Sequence, residues 1–307
     1  MFPDLSVIIV NWNVRERLRA CLQSLARTRG DLAMEIIVVD SASADGSVAM
    51  LRAEFPAARL IACQRNVGFS AGNNLGLAEA RAEHILCLNP DTEIVGAALL
   101  SLLQFLRAHD DVGLVAPQLI SPDGRVQATR YRFPTLASAL CDGTIVEHWF
   151  PHNRWLRRYH YADANDGVVQ DVDWLMGACL LLRRKAIPPG GFDEQFFMYS
   201  EETDLCKRMK DAGWRVVYFP AAQVVHHHSQ SSDQVVPLRH VRFQSSRVRY
   251  FRKHHGWLAA HLLRAFILFS YELLLLEESA KWLAGHKRPL RRERIRSYWQ
   301  VLRSGPR

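Results

Sequence analysis

The sequence predicts an α/β protein in which a mixed, mainly parallel sheet carries flanking helices and a C-terminal helical appendage follows. Two patterns predict it. From the first residues to about 120, short Val- and Ile-rich runs alternate with amphipathic stretches, the βαβ series of a parallel sheet. From Pro237 onward the spacing is helical and the charge basic, with 16 Lys or Arg against 4 Asp or Glu.

The first series reads as strand 5–11, helix 15–27, strand 35–39, helix 46–54 and strand 59–62, then helix 71–81, strand 85–88, helix 96–108 and strand 113–116. Right-handed crossovers would bring the carboxyl ends of these strands to one rim. Residues 121–170 are rich in Pro, Arg, His and aromatics without a clear period, and an irregular excursion is expected there. Strand character resumes over 172–183. A helix is expected over 201–212, with Gly213 placed to cap it, and a last strand, 216–219, leads into Val224-Val225-His226. The expected organisation is one domain over 1–236, divided near residue 120, and an appendage over 237–307.

With 49% of its 307 residues apolar, the chain can bury one large core or two smaller ones. The net charge of +8 is carried by the tail, whose surplus of 12 leaves −4 on the remaining 236 residues. The tail should therefore meet an anionic partner. Nucleic acid is not expected, because the Arg run over 288–296 lacks aromatic interleaving apart from Tyr298 and Trp299. Over 258–276 an apolar run is interrupted by His261, Arg264 and Glu272, too many polar groups for a comfortable spanning helix. On a helical projection they fall within about 80° and leave a wide apolar face. Such a helix could lie in an anionic membrane surface between basic flanks, or pack on the rest of the chain or on a homodimer partner. The six Cys residues form no Cys-x-x-Cys pair and read as reduced core thiols of a cytosolic protein, and nothing at the N-terminus looks like a secretion signal.

Polar motifs mark the ends of the apolar runs. The turn Asn11-Trp12-Asn13-Val14-Arg15 lacks the Gly-x-Gly-x-x-Gly that dinucleotide binding uses, which argues against hydride transfer. Asp40 could accept from a nucleobase or ribose, or cap the helix that follows Ser41. Gly68 and Gly72 allow a tight loop that leaves Asn73 and Asn74 at a helix start, a place for phosphate or ribose or simply for capping. Asn89-Pro90-Asp91 sets a carboxylate where a strand stops, able to hold a divalent metal against a phosphate, or to make an ordinary turn. Glu201-Glu202-Thr203-Asp204 follows an aromatic, Gly-bearing loop, as a general base beside an acceptor pocket would, although acids also suit the helix dipole there. Glu201 and Asp204 share a helix face, with Glu202 about 100° away. Of His226, His227 and His228, alternation along an extended segment allows one as a metal ligand, or the run is simply solvated. Together these edges imply a nucleotide crevice.

In sequence order, VIIVNWN, VVDSASADGS, NVGFSAGNNLG, LNPDTE, GACLLLRR, GGFDEQFFMYSEETDLCKR and the V-x-H-x-x-S-x-S ending at Ser231 resemble the family 2 glycosyltransferases of the GT-A (Rossmann-like) fold, over roughly residues 4–232. Within them the chain resembles the bacterial rhamnosyltransferase-like branch that extends cell-surface polysaccharides. The resemblance implies a nucleotide-sugar half over 1–120 and an acceptor half over 121–236. It implies donor contacts from Asn11, Asn13, Asp40, Ser41, Asn66, Gly68, Asn73, Asn74, Asn89 and Asp91, with acceptor contacts from Gly177, Asp193 and Glu194. Asn89 stands where the family has the first Asp of its Asp-x-Asp motif, so Asp91, with His226, would hold Mg2+ or Mn2+. Glu202 falls at the position of the family's base, with Glu201 and Asp204 beside it. An inverting, metal-dependent transfer of rhamnose from a dTDP- or UDP-sugar to a lipid-linked or polysaccharide acceptor at the cytosolic membrane face is the implied activity. A galactofuranosyl or hexosaminyl transferase, or a non-catalytic nucleotide-sugar binding protein, would carry the same motifs.

Overall fold

A computed structural model describes residues 2–227 and 236–306. The chain forms two compact units. One holds the chain up to Arg132, Ala164–Phe197 and the stretch from Glu201 to the undescribed residues; the other holds Phe133–Asp163, Met198–Ser200 and the C-terminal helices. The second unit is thus larger than the expected appendage, because the 133–163 excursion goes with the tail.

The first unit runs β1 (Leu5–Asn11), α1 (Arg15–Thr28), β2 (Met34–Asp40), α2 (Ser47–Glu54), β3 (Arg59–Ala62), α3 (Gly68–Glu79), β4 (His84–Leu88), β5 (Thr92–Ile94), α4 (Ala98–Ala108) and β6 (Val112–Ile120). After β7 (Arg130–Tyr131) the chain leaves for α5 (Leu136–Cys141), α6 (Ile145–Trp149) and α7 (Arg154–Tyr159) of the second unit. It returns with β8 (Gln170–Asp171), β9 (Trp174–Leu175), β10 (Cys179–Arg183), α8 (Glu201–Asp211) and β11 (Arg215–His226). The second unit ends in α9 (Val236–His254), α10 (Gly256–Leu283) and α11 (Arg288–Ser304).

Among the described residues a nine-stranded sheet has the order β3-β2-β1-β4-β10-β6-β11-β5, with β8 on β11. β1 pairs in parallel with β2 and β4, β2 with β3, and β6 with β11, while β10 is antiparallel to both β4 and β6. Six strands therefore share one direction and only β5, β8 and β10 oppose it. That arrangement is the mixed, mainly parallel sheet expected. It sets the ends of β1, β2, β4 and β11 and the start of β10 along one rim.

The core follows from the pattern. β1 and β4 are buried on both faces, as strands covered by helices on either side must be. Helix α1 buries Leu18, Cys21, Leu22 and Leu25, and α4 buries Leu99, Leu102, Leu103 and Leu106, each a single stripe at helical spacing. Five of the six cysteines are buried and all are free thiols. Burial pushes Cys21, Cys87 and Cys206 up to about 12.

Three expectations are corrected. The excursion holds three helices, each of five or six residues and each started by a side-chain cap from Thr135, Thr144 or Asn153. Fewer than two turns gives a hydrophobic period no room to register. The run over 172–183 is two strands, β9 and β10, separated by Met176-Gly177-Ala178. The last strand is continuous through Pro220, where a register shift against β6 between Phe219 and Gln223 absorbs the missing N–H.

Helix α3 begins at Gly68, three residues earlier than the spacing predicts, and lies on β1 through glycines. A Cβ at Gly76 would collide with Ile8 Cγ2, and one at Gly72 would stand 2.7 Å from Val10 Cγ1. Ala ordinarily gains about 1 kcal/mol over Gly inside a helix. Here overpacking outweighs that gain, and Gly76→Ala is expected to destabilise the fold by about 1–3 kcal/mol in urea denaturation. Equal or greater stability would mean that α3 does not lie this close to β1.

Candidate active site

The rim is built first by one carboxylate and one amide. Asn11 and Asp40 end neighbouring parallel strands in register. Asn11 Nδ2 donates to Asp40 Oδ2 at 2.8 Å and to Ser43 Oγ at 3.2 Å. Ser43 N–H donates to Asp40 Oδ1 at 2.9 Å, and Asn13 N–H donates to Ser43 Oγ at 2.9 Å. Asn13 holds a left-handed φ of 53°, which Asn tolerates, and its Oδ1 accepts from Ala44 N–H at 2.7 Å. With its NH2 committed, Asn11 keeps a buried Oδ1 that has no partner among the described residues. A ligand N–H or O–H would satisfy it.

The loop before α3 closes the same edge. Ser41 Oγ accepts from Val67 N–H at 3.1 Å, and Asn66 Oδ1 accepts from Gly68 N–H at 3.0 Å. Gly68 has φ +84°, and a Cβ there would fall 2.5 Å from the Phe197 carbonyl, so this turn requires glycine. Asn73 and Asn74, expected to meet the donor, spend their amides on the protein. Asn73 is buried and donates to the Phe69 carbonyl, one turn back in its own helix. Asn74 donates to the Phe192 carbonyl and Glu194 Oε1 and accepts from Phe192 N–H, pinning the Gly190–Glu194 loop to α3. Glu194 is thereby tied to Asn74, and Asp193 Oδ1 caps Gln195 N–H.

The third edge joins β4, β10 and β11. Asn89 N–H donates to the Ala178 carbonyl, while the Asn89 carbonyl accepts from Thr92 Oγ at 2.7 Å. Asp91 Oδ1 lies 3.5 Å from His226 Nε2, both side chains nearly buried. His226 Nδ1 is 2.9 Å from Gln127 Oε1. His227 points the other way, to Glu93 at 2.7 Å and Arg17 at 3.0 Å, as alternation along a strand requires. His228 and the Ser229-x-Ser231 pair lie outside the described residues.

The fourth edge is the start of α8. Tyr199 and Ser200, at φ 72° and 63°, put two consecutive non-glycine residues in the left-handed region just before Glu201. Such strain costs about 1–3 kcal/mol per residue and fixes the direction in which the helix begins. Glu201 is buried and Glu202 partly buried there, each with a buried Oε2 that has no partner among the described residues. Burial pushes Glu202 up to about 7, while the backbone N–H groups of Glu202, Gly177 and Thr203 hold it lower than burial alone would. Glu201 rises well above the usual carboxylate range, through burial and the neighbouring Glu202 charge. Both carboxyls are thus held above the usual range, Glu202 close to neutrality, where a general base works best. Asp204, expected beside them, is buried against Arg208 Nε at 2.7 Å, and Arg208 donates to the Gly191 carbonyl. It orients the Gly190–Glu194 loop.

Arg17, Glu93 and Gln127 complete the rim; Arg17, in the first turn of α1, and Gln127, in the aperiodic stretch, gave no sequence signal, while Glu93 ended the LNPDTE motif without being singled out. Among the described residues no cluster of three or more His, Cys, Asp or Glu groups could hold a metal alone. Asp91 and His226 offer two ligands, which suits a Mg2+ or Mn2+ ion that takes its remaining ligands from substrate phosphates and water.

Over 276 residues the chain is 28% identical to the N-acetylglucosaminyl-diphospho-decaprenol L-rhamnosyltransferase of Mycobacterium tuberculosis, covering 85% of this chain and 89% of that protein. Over 187 residues it is 29% identical to the rhamnosyltransferase WbbL of Escherichia coli K12, covering 54% of this chain and 63% of WbbL. In structure it is similar to the Pyrobaculum calidifontis mannosyltransferase PcManGT in complex with GDP-Man and Mn2+, with TM-score 0.56, 15% identity, and 98% and 86% coverage of the two chains. It is also similar to GalNAc-T7 with UDP, GalNAc and Mn2+, with TM-score 0.57 and 13% identity, over 82% of this chain and 48% of that one. The fold is GT-A. Residues 6–187, more than half of the chain, match the family model for glycosyl transferase family 2, and the chain belongs to that family, as a glycosyltransferase of its rhamnosyltransferase-like branch.

Proposed function

We propose that this chain is an inverting transferase that moves rhamnose from a dTDP-sugar to a saccharide carried on a lipid diphosphate. The observation that carries the reading is the partly buried Glu202 beside Gly177, a carboxylate held near neutrality at the acceptor edge of a nucleotide rim. The similarity to a rhamnosyltransferase whose name specifies a diphospho-decaprenol acceptor supports the sugar and the acceptor class.

In this reading Asn11 Oδ1 accepts from the nucleobase, held in place by the Asp40 and Ser43 bonds that fix the amide. Asp91 and His226 hold the divalent cation, which when bound neutralises charge on the departing nucleoside diphosphate. Glu202 takes the proton of the attacking acceptor hydroxyl, and burial makes it basic enough to do so. Glu201, its carboxyl held well above the usual range by burial and by Glu202, limits the negative charge beside the base.

Helix α10 bears on where this happens. Its Ala260, Leu263, Ile267, Tyr271 and Leu274 face is buried in the second unit, where Glu278 pairs with Arg291 at 2.8 Å. Trp257, Leu258, Leu262, Phe269, Leu276 and Leu283 are exposed. By length and composition alone α10 could cross a membrane, at mean hydropathy 1.6, yet a third of that window is buried in the protein. A helix packed along one face and apolar along the other suits a peripheral position at the inner face of the membrane, beside the lipid-borne acceptor.

Three outcomes are expected. Manganese with dTDP, and less so with UDP or GDP, raises the melting temperature of the wild type but not of Asp91→Ala; no shift with any nucleotide would overturn the donor site. The acid limb of kcat/KM lies near pH 7, stays there in Glu201→Gln, and disappears in Glu202→Gln along with at least ~10²-fold in rate; normal turnover by Glu202→Gln would remove it as the base. The wild type sediments with anionic vesicles, whereas Leu262→Glu/Phe269→Glu/Leu276→Glu stays in solution; equal sedimentation would dismiss α10 as the contact.

A further inference from the structure

Gln127 lies behind the metal edge and touches His226 twice. Its Nε2 donates to the His226 carbonyl oxygen at 2.8 Å and also reaches Ser121 Oγ at 3.1 Å. A carbonyl can only accept, so the nitrogen end of the amide is fixed there, and Oε1 is the atom 2.9 Å from His226 Nδ1. An amide oxygen has no proton to give. In the neutral ring Nδ1 must therefore carry the proton, which leaves the lone pair on Nε2, the atom 3.5 Å from Asp91 Oδ1. The amide is launched from an anchored backbone: Gln127 N–H donates to the Leu119 carbonyl at 2.9 Å, next to the Ile120–Val126 bridge.

We propose that Gln127 is a positioning residue that locks the tautomer and ring orientation of His226, so that Nε2 and the Asp91 carboxylate converge on the divalent cation. The inference rests on the metal reading above and adds the part of the site that makes His226 a ligand. With its lone pair on Nε2, His226 presents a ligand atom 3.5 Å from the Asp91 carboxylate, a spacing that suits two ligands of one cation. The Nδ1 bond keeps the ring from turning over.

The test uses the full chain, with UDP or dTDP saturating and manganese titrated by the paramagnetic signal of the free ion, and the His226 tautomer read from its side-chain 15N shifts at alkaline pH. In the wild type the proton is expected on Nδ1. Gln127→Leu should lose about 10- to 100-fold in manganese affinity, the range for removing a group that orients a metal-bound histidine, and His226 should shift toward the other tautomer. Gln127→Glu still accepts from Nδ1–H but loses the donor to the His226 carbonyl, so it should keep the proton on Nδ1 and recover part of the manganese affinity that Gln127→Leu loses, a rescue that a merely structural role would not give. Wild-type manganese affinity in Gln127→Leu, or a wild-type proton on Nε2, would overturn the role of Gln127 alone. Failure of the wild type to bind manganese with either nucleotide would overturn the metal reading and this role together. Should Gln127→Leu not fold, a proton on Nε2 of His226 in a folded Gln127→Glu would still refute the assignment.

Discussion

Six strands that share one direction bring their carboxyl ends to one rim, and the polar side chains there are buried together with apolar ones. That burial is the constraint on which the site depends. A buried amide or carboxylate must find partners, so Asn11 binds Asp40, Ser43 ties both to the Asn13 turn, and Asn74 and Asp204 hold the loop before α8. The groups left over by this accounting, Asn11 Oδ1 and one oxygen each of Glu201 and Glu202, mark where a ligand would complete the hydrogen bonding.

The same constraint sets a conflict between stability and chemistry. The folded pKa of Glu202 is raised above its unfolded value, so its contribution to stability is fully present below the ordinary carboxylate range and is lost as pH rises through about 7. In the proposed role of base Glu202 would have to be ionised, and it ionises where the fold is weaker for holding it. Strain at Tyr199 and Ser200 adds to the cost, and the extensive core of β1, β4, β10 and their helices offsets it.

Long periodic segments were legible in the sequence, because α1 and α4 each bury one stripe and β1 and β4 each bury nearly a whole strand. The order of motifs likewise gave the rim. What stayed hidden depended on contacts rather than on period. Helices α5 to α7 are too short to show a stripe, and β11 runs through Pro220 because its bulge tolerates a residue that ordinarily stops a strand. Asn73, Asn74 and Asp204 sit in motifs that suggest ligand contact, yet their partners, the Phe69 carbonyl, Phe192 and Arg208, are visible only once the chain is folded. Gln127 and Arg17 had no motif at all, and only the position of His226 and His227 gives them meaning.

The central claim, that this rim transfers a sugar with inversion from a nucleoside diphosphate to a lipid-borne hydroxyl, is tested most directly by following the reaction itself. Purified protein, manganese, dTDP-rhamnose and a short-chain lipid diphosphate N-acetylglucosamine would be incubated, and the product linkage read by NMR. The account predicts a rhamnosyl disaccharide whose anomeric configuration is opposite to that of the donor. Retention of configuration, or no transfer from any nucleotide sugar that binds, would contradict it.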